Sequence, residues 1–435
     1  MAGARAADAA ESRPHRRRSA TPPEARYTLA TMADINEAIF FDDGLGQLAP
    51  LTDLRPAFAV RCGALTNLRR VADGLGVRPI GVVVPPNIAD LTRDRNDLPV
   101  NRLPEDDTPR LAINGRCPLP LREIDELEPG TVFREEETGH IIGARVTSAQ
   151  LRALLDGESP EGVTDRRFPQ QLLMSRPWHV RSIRDTAMRI DAELLTRGEP
   201  HAPPPGVTVI GEERVVIDPS ATIYPNVTLV AEEGPIVIGP GVVIRPGATL
   251  IGPVFVGRSS RINEHAVIRP HTAIGPSCKV AGEISGVVFQ GYANKAHDGF
   301  LGDSWVGEWV NLGAATNNSN LLNTYSEVIC QATPGGPRER TGETFLGAII
   351  GDHVKTAIGT RIMTGSILHT GSMFARSTPV SGCVAPFTWA TDEGDRVYRF
   401  DKFMDVAQKA MSRRDIEPGE AYAARLRQLH AERDA

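Results

Sequence analysis

The segment 238–280, IGPGVVIRPGATLIGPVFVGRSSRINEHAVIRPHTAIGPSCKV, carries an aliphatic residue at every sixth position. The residues in phase are Ile238, Ile244, Leu250, Val256, Ile262, Ile268, Ile274 and Val280. A period of six is neither helical nor a simple alternation, and it is typical of a parallel β-helix built from hexapeptides. Each repeat directs one aliphatic side chain inward, so stacked coils bury a continuous column. The segment therefore predicts a hexapeptide β-helix.

The overall composition fits a chain with many tight corners around a narrow core. Of 435 residues, 41 are glycine and 34 are proline, whereas aromatic residues make up only 5%. Disorder would give the same excess. Within the periodic segment, however, glycine follows the aliphatic positions, as at Gly239, Gly257 and Gly275. We therefore interpret the glycine and proline of this half as corner residues of the β-helix.

Charge and cysteine content exclude several classes of protein. The formal net charge of −6 argues against a nucleic-acid binder, which usually carries a basic excess. The sequence has no run of about 18 apolar residues, so no membrane span is expected. The five cysteines are scattered and never form a CxxC pair, unlike those of a disulfide framework or a zinc knuckle. A reducing compartment, the cytoplasm, is therefore expected.

Shifts in composition and periodicity divide the chain into predicted regions. These are a disordered tail (1–31), an α/β domain (33–165), a helical linker (166–206), the β-helix (207–385) and C-terminal helices (386–435). Met32 is a candidate start, since the ordered pattern begins just after it. The linker predicts a helix between Pro177 and Gly198, because its apolar residues share one helical face. The charged C-terminal helices are expected to brace the open end of the β-helix.

The six-residue period breaks between Glu283 and Asn323, and polar side chains crowd the interruption. They are Glu283, Asn294, Lys295, His297, Asp298, Asn311, Asn317, Asn318 and Asn320. Buried polar groups must each find partners, so a β-helix gains no stability from such a cluster. Asparagine ladders and corner residues are the structural explanation, and a functional site around His297 is the other. The density of the cluster favours the functional site.

The segment Asn294–Asn320, and NKAHDGFLGDSWVGEWVNLGAATNN within it, resembles one half of a known bifunctional family. The family is the N-acetylglucosamine-1-phosphate uridyltransferase/glucosamine-1-phosphate acetyltransferase family, in a divergent branch, and the matching half is the acetyltransferase. The resemblance covers roughly Glu283 to Trp389, and the rest of the chain by the order of domains. It implies a left-handed β-helix, a homotrimer with active sites between subunits, acetyl-CoA as donor and an amino sugar phosphate as acceptor.

The resemblance also implies roles for individual residues. By position, His297 matches the catalytic base and Glu283 the carboxylate that assists it. The matches to substrate-binding positions are Arg269 and Asn311, and the matches to positions near the acetyl-CoA are Ala314 and Asn320. Two positions depart from the family. Phe300 replaces a tyrosine that binds substrate, and Ser285 replaces a lysine that binds substrate. Lys295 or Lys279 could supply the charge of that missing lysine.

The chemistry of the cluster agrees with this comparison. An imidazole can take the proton of an amine nucleophile near neutral pH, and a carboxylate behind it fixes the tautomer. Backbone amides and asparagine side chains can stabilise the oxyanion of a thioester under attack. A serine or cysteine nucleophile elbow is absent from the sequence, which favours direct transfer. The other histidines of this region are expected at corners or on the surface: His265, His271, His353 and His369.

The motifs FFDD (40–43) and LTDLRP (51–56) resemble a divergent sugar nucleotidyltransferase domain. Apolar runs at 38–41, 79–84 and 111–114 are strand candidates of that domain. Its usual glycine-rich loop with an arginine and a lysine is missing from the corresponding stretch 42–56. The domain therefore resembles the family in the order and length of its elements more than in its phosphate-binding motif.

The metal position of this domain also departs from the resemblance. The motif NGRCPL (114–119) places Arg116 where the family has a magnesium-binding aspartate, and an arginine cannot ligate a cation. Either Asp42 or Asp43 holds Mg²⁺ instead, or the domain has lost nucleotidyl transfer. Arg55 is predicted to contact phosphate, the alternative being a surface turn before the following proline.

Three hypotheses follow for the function. The leading one is an acetyl-CoA-dependent N-acetyltransferase of an amino sugar 1-phosphate, glucosamine 1-phosphate first, serving UDP-N-acetylglucosamine synthesis. The alternative is a sugar-1-phosphate nucleotidyltransferase whose β-helix serves only trimerisation or regulation. The third is a scaffold that binds sugar nucleotides or partners without catalysis. Under the first two hypotheses the partners are sugar phosphate and nucleotide substrates and further copies of the chain.

Overall fold

The computed structural model describes residues 36–197 and 203–434. The predicted tail 1–31, the candidate start Met32 and the predicted helix end Gly198 lie outside the described residues. The described part consists of an α/β domain, a connecting helix, a parallel β-helix and two C-terminal helices, which confirms the predicted fold class. Among the helices of that part, none combines the length and the apolar character that a membrane crossing requires.

The N-terminal domain is a mixed sheet with helices on both faces. Its strands are β1 (Glu37–Phe41), β2 (Arg78–Val83), β3 (Arg110–Asn114), β4 (Thr131–Glu135), β5 (Ile141–Val146) and β6 (Thr164–Phe168). The strand order is β2-β1-β3-β5-β4-β6, and β1 is parallel to both of its neighbours. Side chains of β1 alternate between two apolar clusters, with Phe40 in one and Phe41 in the other. Burial on both faces explains the continuous apolar run of this strand.

The helices of this half follow the strands in the order that a doubly wound domain requires. They are α1 (Asn67–Leu75), α2 (Pro86–Arg95), α3 (Arg122–Asp125), α4 (Ser148–Leu155) and the connecting helix α5 (His179–Leu195), with a 3₁₀ turn at Ala57–Ala59. The chain leaves β1 toward β2 on one side and returns to β3 on the other. The carboxyl end of β1 is therefore a topological switch point of the sheet.

The β-helix has three faces, each a parallel sheet. The first face contains Thr208–Ile210, Thr228–Val230, Thr249–Ile251, Val267–Ile268, Glu283–Ser285 and Phe300–Gly302. The second contains Val215–Ile217, Ile236–Ile238, Val254–Val256, Thr272–Ile274, Val288–Phe289, Trp305–Val306, Ala348–Ile350, Ser366–Leu368 and Cys383–Val384. The third contains Thr222–Ile223, Val243–Ile244, Arg261–Ile262, Lys279–Val280 and Asn294–Lys295.

Shorter pieces continue these faces toward the C-terminal end. Asn317–Asn318 pairs with Arg361–Ile362, and Ile329–Gln331 forms a hairpin with Arg338–Arg340. The last sheet contains Lys355–Thr356, Met373–Ala375, Thr388–Thr391 and Gly394–Val397. Single bridges join Asn311 to Asn294 on one side and to Lys355 on the other, so the third face reaches this sheet.

The aliphatic residues of period six form the predicted column. All of those between Ile238 and Val280 are at most 3% exposed and belong to one apolar cluster. Corners of the prism place even non-glycine residues in the left-handed region, among them His265, His271 and His353. His369 is buried, and its Nε2 lies 3.4 Å from Cys383 Sγ.

The C-terminal helices α6 (Phe400–Ser412) and α7 (Glu420–Ala431) do more than brace the end of the β-helix. Helix α7 packs against α2, and Phe403 and Leu426 share an apolar cluster with the N-terminal domain. The expected role at the open end is therefore incomplete. Apolar side chains of these helices pack in one cluster with residues of the N-terminal domain and of the β-helix, such as Trp309 and Phe387.

A buried ion cluster joins the N-terminal domain to the β-helix. Arg55 Nη2 donates to Asp352 Oδ1 at 2.7 Å and lies 3.5 Å from Glu308 Oε2, which also pairs with Arg95 at 3.1 Å. Arg55 is only 3% exposed. Burial alone would lower the pKa of Arg55, but Asp352 and Glu308 raise it above its ordinary value. The guanidinium group that was predicted to contact phosphate is therefore bound to carboxylates of the β-helix, and that prediction was wrong.

His353, at the same interface, makes the free energy of unfolding depend on pH. Its Nε2 and Tyr422 Oη lie 2.6 Å apart, and burial, helped by Lys355, Arg95 and Arg55, lowers the pKa of His353 well below its ordinary value. In the unfolded chain, His353 takes up a proton as the pH falls through about 6.5, whereas in the folded chain its ring stays neutral at that pH. We therefore expect the free energy of unfolding to fall below pH 6.5, by at most about 1.4 kcal/mol per pH unit from this residue.

Urea unfolding at pH 7.5, 6.5 and 5.5 measures this effect. His353→Gln removes the titrating group, so the variant should lose less stability between pH 6.5 and 5.5 than the original chain. Equal losses in the two proteins would show that His353 is not responsible.

Candidate functional site

One edge of the prism, the His297 corner, carries two of the predicted site residues, His297 and Ala314. We define this corner as residues 281–282, 297–299 and 314–316, which lie on successive coils. A β-carbon built on Gly282 would lie 3.0 Å from the carbonyl oxygen of His297. One built on Gly299 would contact the backbone of Ala315 and Thr316. The fold thus stacks these three segments.

The histidine at this corner is available for chemistry. His297 is exposed, and within the described residues its ring makes no hydrogen bond or ion pair. It lies between the strands Asn294–Lys295 and Phe300–Gly302, where the chain passes from the third face to the first. An imidazole placed in this way can accept a proton from a bound amine without breaking an internal contact.

Lysine 295 fixes the loop that carries this histidine. Its side chain is fully buried, and Nζ donates to the carbonyl oxygens of His297 and Asp298, both at 2.6 Å. Burial lowers the pKa of Lys295 to about 8. The ammonium group faces the inside of the β-helix rather than a ligand, so its predicted role as a substrate contact was wrong. It acts instead as an internal anchor for the His297 corner.

We expect Lys295→Met to lower kcat for the proposed acetyl transfer by about 10- to 100-fold with little change in KM. Methionine keeps the length of the side chain but leaves the carbonyls of His297 and Asp298 without their donor, so the corner loosens. Steady-state kinetics of the single variants and of the double variant with His297→Ala measure the coupling. Because Lys295 acts through His297, its replacement should cost nothing further in the His297→Ala background. Additive losses would contradict this role.

Arg269 and Glu283 form an ion pair beside the corner. Arg269 Nε donates to Glu283 Oε1 at 2.6 Å, and both side chains are nearly half exposed. Glu283 begins the first-face strand that pairs with Phe300, one coil away from the histidine. Its carboxylate contacts Arg269 in this structure and makes no hydrogen bond to the His297 ring. An exposed pair of this kind is weak, so either partner can turn toward a ligand.

The asparagines divide between structural and exposed positions. Asn317 Oδ1 accepts from the amide of Phe300 at 2.8 Å, and Asn318 Oδ1 accepts from that of Gly302 at 2.7 Å. These two form the ladder that a structural explanation requires. Asn311 is exposed on the third face and is joined to Asn294 by a backbone bridge. Of the five asparagines in this cluster, Asn311 is the one whose side chain makes no hydrogen bond within the described residues, so it can bind a ligand.

Ala314 and Asn320, the two positions matched to residues near the acetyl-CoA, have different surroundings. Ala314 is half-buried in the His297 corner, and its carbonyl oxygen accepts from the amide of Gly359. Asn320 Nδ2 donates to Asp303 Oδ2 at 2.8 Å. The fold therefore brings Ala314 to the histidine, while the side chain of Asn320 is engaged in an internal contact.

Sequence reasoning missed two contacts that the connecting helix and the C-terminal region make with this part of the β-helix. Asp303 Oδ1 accepts from Arg181 Nε at 3.0 Å and from Arg184 Nη1 at 2.8 Å, both on α5. Arg414 Nη2 donates to Asn294 Oδ1 at 3.0 Å. These partners are more than a hundred residues apart along the chain, and no local pattern links them.

The acidic residues after β1 do not fit a Mg²⁺ ion. Asp43 forms two bonds with Arg116, at 2.8 and 2.6 Å, and accepts a third from Asn114 Nδ2 at 2.8 Å. Burial opposes ionisation of Asp43, but Arg116 outweighs it and the pKa of Asp43 lies below its ordinary value. Asp42 accepts from two backbone amides, and burial raises its pKa. The suggested magnesium site at Asp42 or Asp43 was wrong.

Within residues 36–197 and 203–434, no three or more histidine, cysteine, aspartate or glutamate side chains lie together in a group that could hold a metal ion. The guanidinium group of Arg116 occupies the position next to Asp43 where a cation would have to lie. We therefore derive no chemical step from Mg²⁺.

Parts of this chain are similar to known proteins. A family model described as sugar nucleotidyl transferase matches residues 38–200. The bifunctional protein GlmU of Cyanothece sp. is 28% identical over 224 residues, which are 48% of this chain and 46% of that protein. A bifunctional sugar-1-phosphate nucleotidylyltransferase/acetyltransferase of Sulfurisphaera tokodaii is 32% identical over 136 residues, 31% of this chain and 33% of that protein. The chain thus spans about half the length, or less, of these curated relatives.

A search of solved structures gives a weaker likeness. The UDP-N-acetylglucosamine acyltransferase of Francisella novicida matches with a TM-score of 0.25 and 13% sequence identity. The match covers 48% of this chain and 75% of that one. A superposition of this quality carries no argument about function.

Proposed function

We propose that this chain, which belongs to a divergent branch of the GlmU-like family, is an acetyl-CoA-dependent N-acetyltransferase. Its acceptor is an amino sugar 1-phosphate, glucosamine 1-phosphate first, and the reaction serves nucleotide-sugar synthesis. The name of the Sulfurisphaera tokodaii relative, a bifunctional sugar-1-phosphate nucleotidylyltransferase/acetyltransferase, supports this class of reaction. The observation that carries the proposal is the exposed and unbonded ring of His297 on a loop that Lys295 anchors.

His297 is the general base of the proposed reaction. Its ring accepts a proton from the acceptor amine while that amine attacks the thioester carbonyl of acetyl-CoA. The new bond is the amide, the broken bond is the carbon–sulfur bond, and His297 returns the proton to the departing sulfur. In this scheme, backbone amides of the His297 corner stabilise the oxyanion. A positioned base of this kind contributes about 10²–10⁴-fold to a rate.

Arg269 binds the phosphate of the acceptor in this scheme. Its guanidinium group is nearly half exposed and, among the described residues, is paired with Glu283 alone, so a phosphate can compete for it. Release from Arg269 leaves the Glu283 carboxylate, on the coil next to that of His297, available to orient the imidazole. Asn311 contacts the acceptor from the third face, and we propose that a homotrimer closes the site with a neighbouring subunit.

A panel assay tests the proposal. The chain is incubated with acetyl-CoA, UTP, dTTP, magnesium and a set of sugar 1-phosphates, and the products are identified by mass spectrometry. We expect acetylated glucosamine 1-phosphate, together with release of free CoA. Release of pyrophosphate without any acetylated product would favour the alternative, a nucleotidyltransferase whose β-helix is an assembly module.

A further inference from the structure

A cavity of about 1170 Å³ lies where the N-terminal domain, the β-helix and the C-terminal region meet, and we call it the junction cavity. Its wall includes Phe58 and Leu91 from the N-terminal domain, Tyr292 and Trp309 from the β-helix, and Met411 from α6. The volume exceeds the roughly 300–1,000 Å³ of small-molecule pockets, so space does not limit a ligand.

The junction cavity lies at a different edge of the prism from the His297 corner. Tyr292 follows the second-face strand Val288–Phe289 and precedes the third-face strand Asn294–Lys295, whereas the His297 corner joins the third face to the first. The lining of the cavity includes neither His297 nor Arg269. A ligand in this cavity is therefore separate from the proposed acetyl transfer.

Aromatic rings form a ladder along one wall of the cavity. Tyr292, Trp309 and His353 occupy the same corner position on successive coils, with φ values of 52°, 61° and 59°. The rings of Tyr292 and Trp309 are stacked with their centroids 4.6 Å apart, and Trp309 stacks on His353 at 6.4 Å. The coil before Tyr292 has Ser277 at this position, so the ladder ends at Tyr292. A planar ring placed on Tyr292 would extend the ladder by one step.

Trp309 also brings an unpaired donor to the wall. The residue is 5% exposed, and its indole Nε1 has no hydrogen-bond acceptor in the described part of the chain. A buried donor without a partner is unfavourable, and most such groups in native proteins are paired. An oxygen atom of a bound ligand would supply the missing acceptor.

Carboxylates at the rim indicate the polar part of the ligand. Asp94, Asp415 and Glu417 line the cavity and are exposed, and their side chains make no hydrogen bond or ion pair within residues 36–197 and 203–434. Carboxylates accept hydrogen bonds from hydroxyl groups. A planar ring for the ladder, joined to a group with several hydroxyls for the rim, is the chemistry of a nucleoside.

We propose that the junction cavity binds a nucleoside, alone or as part of a nucleotide. The base stacks on Tyr292 as the next ring of the ladder, and an oxygen of the ribose accepts from Trp309 Nε1 one coil further along. The remaining hydroxyls donate to the carboxylates of the rim. Arg258 also lines the cavity, so a phosphate on the ribose has a cation nearby. Because the walls come from all three parts of the molecule, a bound nucleoside stabilises their packing.

Calorimetric titration of the full chain tests this site. The probes are adenosine, uridine, AMP, UMP and ribose 5-phosphate. We expect at least one nucleoside or its nucleotide to bind, and the tighter member of that pair identifies the source of the ligand. Ribose 5-phosphate has no base to stack, so it should bind at least about tenfold more weakly. The bound ligand should also raise the thermal midpoint of the chain.

Variants of Tyr292 locate the binding. Tyr292→Asn removes the ring and should weaken binding by about tenfold or more, the contribution of one base–aromatic stack. Asparagine tolerates the left-handed region, so the corner keeps its backbone. Tyr292→Phe keeps the ring and should bind nearly as tightly as the parent. Tyr325→Asn is the matched control and should bind like the parent, because Tyr325 is an exposed tyrosine with a φ of 53° outside the cavity lining.

Two results would overturn the proposal. One is absence of binding for all four probes that carry a base, and the other is equal affinity in Tyr292→Asn and the parent, which would place any binding elsewhere in the chain. If Tyr292→Asn fails to fold, as thermal unfolding would show, Tyr292→His keeps a smaller ring at the same position and should bind more weakly than the parent. Parent-like affinity in that histidine variant would also count against the stack. None of these results depends on whether the chain transfers an acetyl group.

Discussion

We expect His297→Ala to lower the rate of acetyl transfer to glucosamine 1-phosphate by about 10²–10⁴-fold, the contribution of a positioned general base. The ring is exposed and makes no internal contact in the described residues, so its removal changes no packing. The thermal midpoint should therefore stay close to that of the parent, since surface substitutions usually change stability by less than about 0.5 kcal/mol. Initial rates of CoA release and a thermal melt measure the two effects.

His265→Asn is the matched control for this variant. His265 is also an exposed histidine at a corner of the β-helix, with a φ of 58°. Asparagine tolerates the left-handed region, so the control keeps the backbone of its corner. The control should retain the parent rate. An unchanged rate of acetyl transfer in His297→Ala would remove the assignment of the base.

The β-helix could be predicted because its determinants are local. One aliphatic residue per hexapeptide was sufficient to identify the buried column, and Ile238, Leu250 and Val280 are buried as expected. The position of His297 at an interruption of the period also followed from the sequence. Both are properties of short segments, in which spacing along the chain determines the face that a side chain occupies.

The orientation of Lys295 could not be predicted in the same way. Ile262 and Val280 occupy equivalent inward positions eighteen residues apart, whereas Lys295 takes the next such position only fifteen residues later. The shortened coil shifts the phase, so counting in sixes no longer identifies the inward side chain. A lysine at an inward position is also unusual, because the charge must be compensated by internal acceptors. Only the structure shows the two carbonyls that do so.

The role of Arg55 was hidden for a different reason. The motif LTDLRP looks like a phosphate-binding turn when only the N-terminal domain is considered. Asp352, the partner of Arg55, lies 297 residues away on the β-helix. An ion pair between residues so far apart in sequence depends on how the N-terminal domain packs against the β-helix. No periodicity in a single sequence predicts that packing.

Asp352→Ala is expected to lower the free energy of unfolding by about 3–5 kcal/mol, because it leaves the guanidinium group of Arg55 buried with a weaker partner. Asp352 is fully buried, and its Oδ1 accepts both from Arg55 and from the amide of Glu308, at 2.7 and 2.6 Å. Glu308 remains near Arg55 at 3.5 Å, which places the expected loss toward the lower end of the range. Urea unfolding followed by circular dichroism measures it.

Two comparisons separate this buried pair from an ordinary surface contact. Glu193→Ala removes the partner of Arg189 in an exposed pair on α5 and should cost less than about 1 kcal/mol. The double variant Arg55→Met/Asp352→Leu removes both charges. Its loss in free energy of unfolding should be smaller than the sum of the losses of the single variants Arg55→Met and Asp352→Leu. Because the pair joins the N-terminal domain to the β-helix, Asp352→Ala should also separate the unfolding of the two parts into distinct transitions. A loss no larger than that of Glu193→Ala, with a single transition, would mean that the apolar contacts of α6 and α7 hold the two parts together without the ion pair.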